Sequence, residues 1–142
     1  MEISQQLKEQ IREVLREHNV TVAYLFGSLV KGSQHADSDI DVAVVPAAMT
    51  AGETTDDVMD NITADISAKI KLPERRVDVS HLADLPLSLR FSVQRDGLPI
   101  YVKDERIQRE TFLRDAALYH DQYPFIKAAN ARFAKRLRNE SD

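Results

Sequence analysis

The stretch Gly27-Ser28-Leu29-Val30-Lys31-Gly32-Ser33-Gln34-His35-Ala36-Asp37-Ser38-Asp39-Ile40-Asp41-Val42 decides how this chain is read. It follows Val20 to Phe26, a β-branched and aromatic run that reads as a strand. Gly27 permits a tight backbone there. A small polar loop follows, with 30–32 as a short helical turn whose N–H groups would face an anion. The chain then enters a second strand, Asp39 to Val45, stopped by Pro46. Side chains two apart on a strand share a face. Asp39 and Asp41 therefore stand together beside a Gly-Ser turn. That pairs a divalent-cation site with a phosphate cradle.

Working outward, Ile3, Leu7, Ile11, Val14 and Leu15 recur as one face of an amphipathic helix. Ser4 is its candidate cap, and His18-Asn19 its end. Ala47 to Thr55 reads as a loop. Val58, Ile62 and Ile66 predict a helix from about Asp56 to Lys69. Val77 to Ser80 is a third strand, and it carries Asp78 between two valines. Pro86 suits the first turn of a helix running to about Arg95. Leu98 to Val102 is a short strand, and Pro99 marks it as an edge. Ile107, Phe112, Ala116 and Tyr119 make one face of a further helix. Tyr123-Pro124 predicts a break, because the residue before proline avoids helical angles. A last helix then holds Phe125, Ala129, Phe133 and Leu137. Lys127, Arg132, Lys135, Arg136 and Arg138 make it basic. The fold class is α/β: a small mixed sheet with flanking helices on one face and a helical C-terminal extension. We place the domain at 1–104 and its extension at 105–142.

With 142 residues the chain is long enough for one domain that buries its own core. It is 43% hydrophobic and 30% charged, which favours a soluble globular chain over a disordered one. No cysteine means no disulfide framework and no zinc–thiolate site, in keeping with a cytoplasmic location. Residues 1–10 are polar and lack the apolar run of a signal peptide. No stretch reaches the length of a membrane span. A net charge of −4 argues against general nucleic-acid coating.

Gly-Ser, ten residues, then Asp-x-Asp, with Asp78 on a later strand, resembles the signature of the DNA polymerase β-type nucleotidyltransferase superfamily. The short chain looks most like the minimal nucleotidyltransferases, many of them antitoxins paired with a HEPN-domain toxin. The resemblance covers roughly the first hundred residues. It implies that Asp39, Asp41 and Asp78 are catalytic and hold Mg²⁺, two ions clamping the attacking and leaving oxygens. It implies that Asp78 also helps take the acceptor's proton. Gly27 and Ser28 would bind the β- and γ-phosphates of ATP, with Lys31 and Ser33 as weaker phosphate contacts. Leu29 stands where many members carry arginine, which removes one phosphate contact. Independently of the family, three carboxylates on neighbouring strands repel one another without a cation, which itself argues for a metal.

The reaction implied is AMP transfer from ATP to a tyrosine hydroxyl of a partner HEPN ribonuclease, which silences it. Two other readings stay open. One is a small-molecule transferase of the aminoglycoside type, although such enzymes carry more chain for their substrate. The other is an antitoxin that blocks its partner sterically, although a pure binder has no need of three carboxylates. His35 and His81 read as solvated or packed, Arg90 and Arg95 as minor candidates for triphosphate or partner. Tyr119, Tyr123, Phe125 and Phe133 read as helix packing, and the basic helix as a solvated face.

Overall fold

Four strands form the sheet, and the computed structural model describes residues 4–27, 39–48 and 51–141. β1 is Val20–Phe26, β2 Ile40–Pro46, β3 Val77–His81 and β4 Leu98–Val102. Their spatial order is β3-β2-β1-β4. β1 pairs antiparallel with β2 and with β4, and β2 pairs parallel with β3. β4 is thus an edge strand, where Pro99 is tolerated. The sheet is mixed, as the sequence predicts.

Helix α1, Gln5–Glu17, starts at Ser4, whose hydroxyl accepts from the Leu7 N–H at 3.1 Å. Helix α2, Thr55–Ile70, opens on a capping box. Thr54 Oγ1 accepts from the Asp57 N–H, and the Asp57 carboxylate accepts from the Thr54 N–H. Ile11, Val14 and Leu15 of α1 and Met59, Ile62 and Ile66 of α2 pack on one sheet face. They meet Ala23, Leu25, Ile40, Val42, Val44, Val77, Val79 and Ile100.

The other face is covered too, which corrects the expectation of helices on one face. Helix α3, Leu87–Asp96, and helix α4, Glu105–Ser141, lie there. Val93 of α3 packs with Val22, Tyr24, Ala43 and Leu82, and Ile107 of α4 packs against this second core. The reason is legible in burial. Val20 to Leu25 is buried at every position, so β1 needs cover on both sides.

α4 is one helix of 37 residues, about 55 Å long at 1.5 Å per residue. The expected break at Tyr123-Pro124 is absent, and Pro124 lies inside the helix. Its neighbours are exposed, so water can satisfy the carbonyl that the proline leaves without a donor. Tyr119 stacks on Phe91 of α3, with centroids 4.4 Å apart. Phe125 and Phe133, expected to pack, are instead 75% and 59% exposed. The basic side chains from Lys127 to Arg138 are exposed as expected. Among the described residues no helix is long and apolar enough to cross a membrane.

Candidate active site

β1 ends, and β2 and β3 begin, at the same edge of the sheet. The alternation along β2 sends Ile40, Val42 and Val44 into the core under α1 and α2. Asp41 therefore points to the opposite face, as does Ala43. The same alternation in β3 buries Val77 and Val79 and turns Asp78 outward. In the parallel register Asp41 lies directly opposite Asp78, so the two carboxylates are neighbours on one face. Asp39, one residue before β2, is exposed at the mouth of the same edge. Period-2 geometry and register, both encoded by apolar residues, thus bring Asp39, Asp41 and Asp78 together.

Their electrostatics agree. Burial pushes the Asp41 carboxyl above the ordinary aspartate range, and the charges of Asp78 and then Asp39 push it further. Asp78 accepts a long hydrogen bond, 3.4 Å, from Ser80 Oγ. Among the described residues no three carboxylate or histidine groups close into a cage around one ion. The donor set is nonetheless of the right chemistry for Mg²⁺, which takes hard oxygen ligands and leaves other positions to water and phosphate. Asp41, pressed by two like charges, is the group a cation would relieve most.

Gly27 completes this edge. Its φ is +79°, a left-handed angle that only glycine adopts cheaply. A Cβ there would overlap Oδ2 of Asp41. The end of β1 thus lies directly on the carboxylate. Gly27→Ala is expected to cost about 1–3 kcal/mol of stability from backbone strain. It should also displace Asp41 and lower transfer activity at least tenfold. Urea unfolding and a pyrophosphate-release assay check both halves, and unchanged activity would show that Gly27 does not shape the site. Ser28, Lys31 and Ser33 lie outside the described residues, as does His35.

Other candidates go elsewhere. His81, at the far end of β3, lies 3.6 Å from the Asp84 carboxylate. Arg95 pairs with Asp96 at 2.8 Å and lies over the Phe91 ring. Arg90 is 3.1 Å from Asp115, on α4. Sequence reasoning missed Asp115, which is fully buried. It also missed a mostly apolar cleft of about 230 Å³ between α3 and the end of β1, beside Gly27.

A mixed sheet with an acidic edge beside a glycine turn has the architecture of the nucleotidyltransferase class. The chain belongs to the polymerase beta nucleotidyltransferase family, whose model matches residues 9–106. Solved structures agree on the fold. One chain comes from a toxin-antitoxin crystal structure with AMP-PNP. It superposes with a TM-score of 0.69 at 21% identity, covering 89% of this chain and 98% of that one. A chain of the MntA-HepT toxin-antitoxin gives 0.65 at 18% identity, over 92% and 99%. A chain from a tri-AMPylated Shewanella oneidensis HEPN toxin in complex with MNT antitoxin gives 0.66 at 18% identity, over 92% and 99%. No curated protein matches the chain significantly in sequence.

Proposed function

We propose that this nucleotidyltransferase is an antitoxin that moves AMP from ATP to a tyrosine hydroxyl of a partner HEPN ribonuclease and so neutralises it. The observation that carries the chemistry is the meeting of Asp39, Asp41 and Asp78 at one edge of the sheet. The biological role is supported by the similar chains, which come from HEPN toxin and MNT antitoxin complexes.

Asp39, Asp41 and Asp78 would hold Mg²⁺, which supplies a positive clamp on the phosphate oxygens when bound. Gly27 and Ser28 would bind the β- and γ-phosphates through backbone N–H groups and a hydroxyl. Lys31 and Ser33 would add contacts to the same phosphates. Asp78, at the β3 side of the edge, takes the acceptor's proton. The acceptor oxygen bonds to the α-phosphorus, the bond to the bridging oxygen breaks, and pyrophosphate leaves.

The test is intact-mass spectrometry of the HEPN-domain protein encoded beside this chain, after co-expression. Mass increments in whole AMP units are expected with the wild type. They should vanish with Asp39→Ala/Asp41→Ala. A partner that is bound and silenced without any increment would sink the catalytic reading in favour of steric block.

A further inference from the structure

The mostly apolar cleft shares only Gly27 with the phosphate chemistry above. Its helix wall is a single stripe of α3, namely Leu89, Ser92, Val93 and Asp96. That spacing of three, one and three places all four on one helix face. Phe26, the last residue of β1, faces them across the cleft, and Gly27 forms its inner end. Val93 is buried and Phe26 partly so. Leu89, by contrast, is 40% exposed at the rim, an apolar side chain that the fold itself does not cover. The approach of α3 to β1 is fixed by Gly97. A Cβ there would overlap the Val93 carbonyl and press on the Leu25 carbonyl.

We infer that this cleft seats the base of the nucleoside triphosphate, with its ring between Phe26 and the Leu89–Val93 stripe. The inference rests on the nucleotidyltransferase reading and names the part of the substrate that the aspartates do not touch. Three observations point to a neutral ring rather than to phosphate or acceptor. The cleft is mostly apolar, its one charged lining group, the Asp96 carboxylate, is paired with Arg95 at 2.8 Å, and among the described residues no lysine or arginine lines the cleft to receive a phosphate. Its volume, about 230 Å³, falls below the roughly 300–1,000 Å³ of pockets that enclose whole drug-sized ligands. One ring system fits, with the rest of the ligand outside. Finally, β3 and β1 flank β2, so Asp78 and the cleft lie on opposite sides of Asp41. Two strand spacings, roughly 10 Å, separate them. An acceptor hydroxyl at Asp78 and a base in the cleft therefore do not compete.

The experiment compares ATP with inorganic tripolyphosphate by titration calorimetry in Mg²⁺, for the wild type and two variants. Ser92→Trp fills the cleft, and Leu89→Glu charges its rim at an exposed position. Circular dichroism and melting verify that each is folded. A base stacked on apolar and aromatic side chains contributes enough that its eviction should weaken ATP about tenfold to hundredfold. Tripolyphosphate should stay within about twofold. Unchanged ATP affinity in both folded variants would overturn the inference. So would wild-type protein that binds tripolyphosphate as tightly as ATP, and that outcome would leave the transferase reading intact. If neither ligand binds the wild type, the transferase reading fails along with the base seat.

Discussion

Asp41→Asn is expected to abolish nucleotidyl transfer while leaving the protein at least as stable as the wild type. The activity half follows from position. Asp41 is the central carboxylate, opposite Asp78 in the parallel register and two residues from Asp39. It is also the one beneath Gly27. The charge clamp that a bound cation provides is worth several kcal/mol in such a transfer. Its loss corresponds to a rate reduction of about a thousandfold or more. The stability half follows from the raised Asp41 carboxyl. Burial is its first cause, and the neighbouring charges of Asp78 and Asp39 its second and third. At neutral pH, without divalent cation, the fold therefore holds a carboxylate in a place that disfavours its charge. Asparagine has nearly the same shape and cannot ionise. The melting temperature should hold or rise by a few degrees. Asp78→Asn should abolish transfer as well, but Asp78 is exposed, so the gain in stability should be smaller. Pyrophosphate release and thermal melts in a chelating buffer give both quantities. Activity within tenfold of wild type in Asp41→Asn would remove these carboxylates from the mechanism.

The acidic edge was legible because strand geometry has a period of two. Once Ile40 to Val45 and Val77 to Ser80 are read as buried strands, their aspartates must share the remaining face. β1 and β4 coincide with the runs Val20 to Phe26 and Leu98 to Val102, where β-branched residues and flanking turns leave little choice. The side of the sheet that each helix covers was not legible in the helices. An amphipathic stripe says that a helix has an apolar face, not which surface it meets. The strands did hold that information: no position from Val20 to Leu25 is polar except Thr21, and a strand buried on both faces needs two layers of helix. Pro124 does not break α4, because its local preference yields to the helix on both sides. Seventeen residues after it still support helical angles, and an exposed site lets water take the orphaned carbonyl. The cleft at Leu89 and Phe26 could not be seen, because its walls are 63 residues apart in sequence.

Asp115 shows the same limit and carries the largest stability prediction. In the sequence it is one more charge on an acidic and basic helix. In the fold it is fully buried, because its partners come from α3. Its Oδ2 accepts from Gln94 Nε2 at 2.7 Å and lies 3.1 Å from Arg90 Nε, a distance that makes an ion pair though the N–H is not aligned as a hydrogen bond. Its Oδ1 lies 3.7 Å from Arg114 and has no hydrogen-bond partner. Arg90 is itself held by the carbonyls of Ala83 and Leu85, just after β3. The cluster therefore clamps α4, α3 and the segment leaving β3. Asp115→Ala leaves the Arg90 guanidinium largely buried without its counter-charge. Breaking one side of such a pair costs about 3–5 kcal/mol. For a chain of this size the melting temperature should fall by roughly 10–15 °C. Arg90→Met/Asp115→Leu removes both charges and should recover most of the loss, since a buried pair contributes little over well-packed apolar groups. A double variant as unstable as Asp115→Ala would mean that shape, not charge, holds the helices. The clamp also has a functional reach. α3 carries Leu89, Ser92, Val93 and Asp96, so a loosened α3 should weaken ATP in Asp115→Ala, and the double variant should restore it.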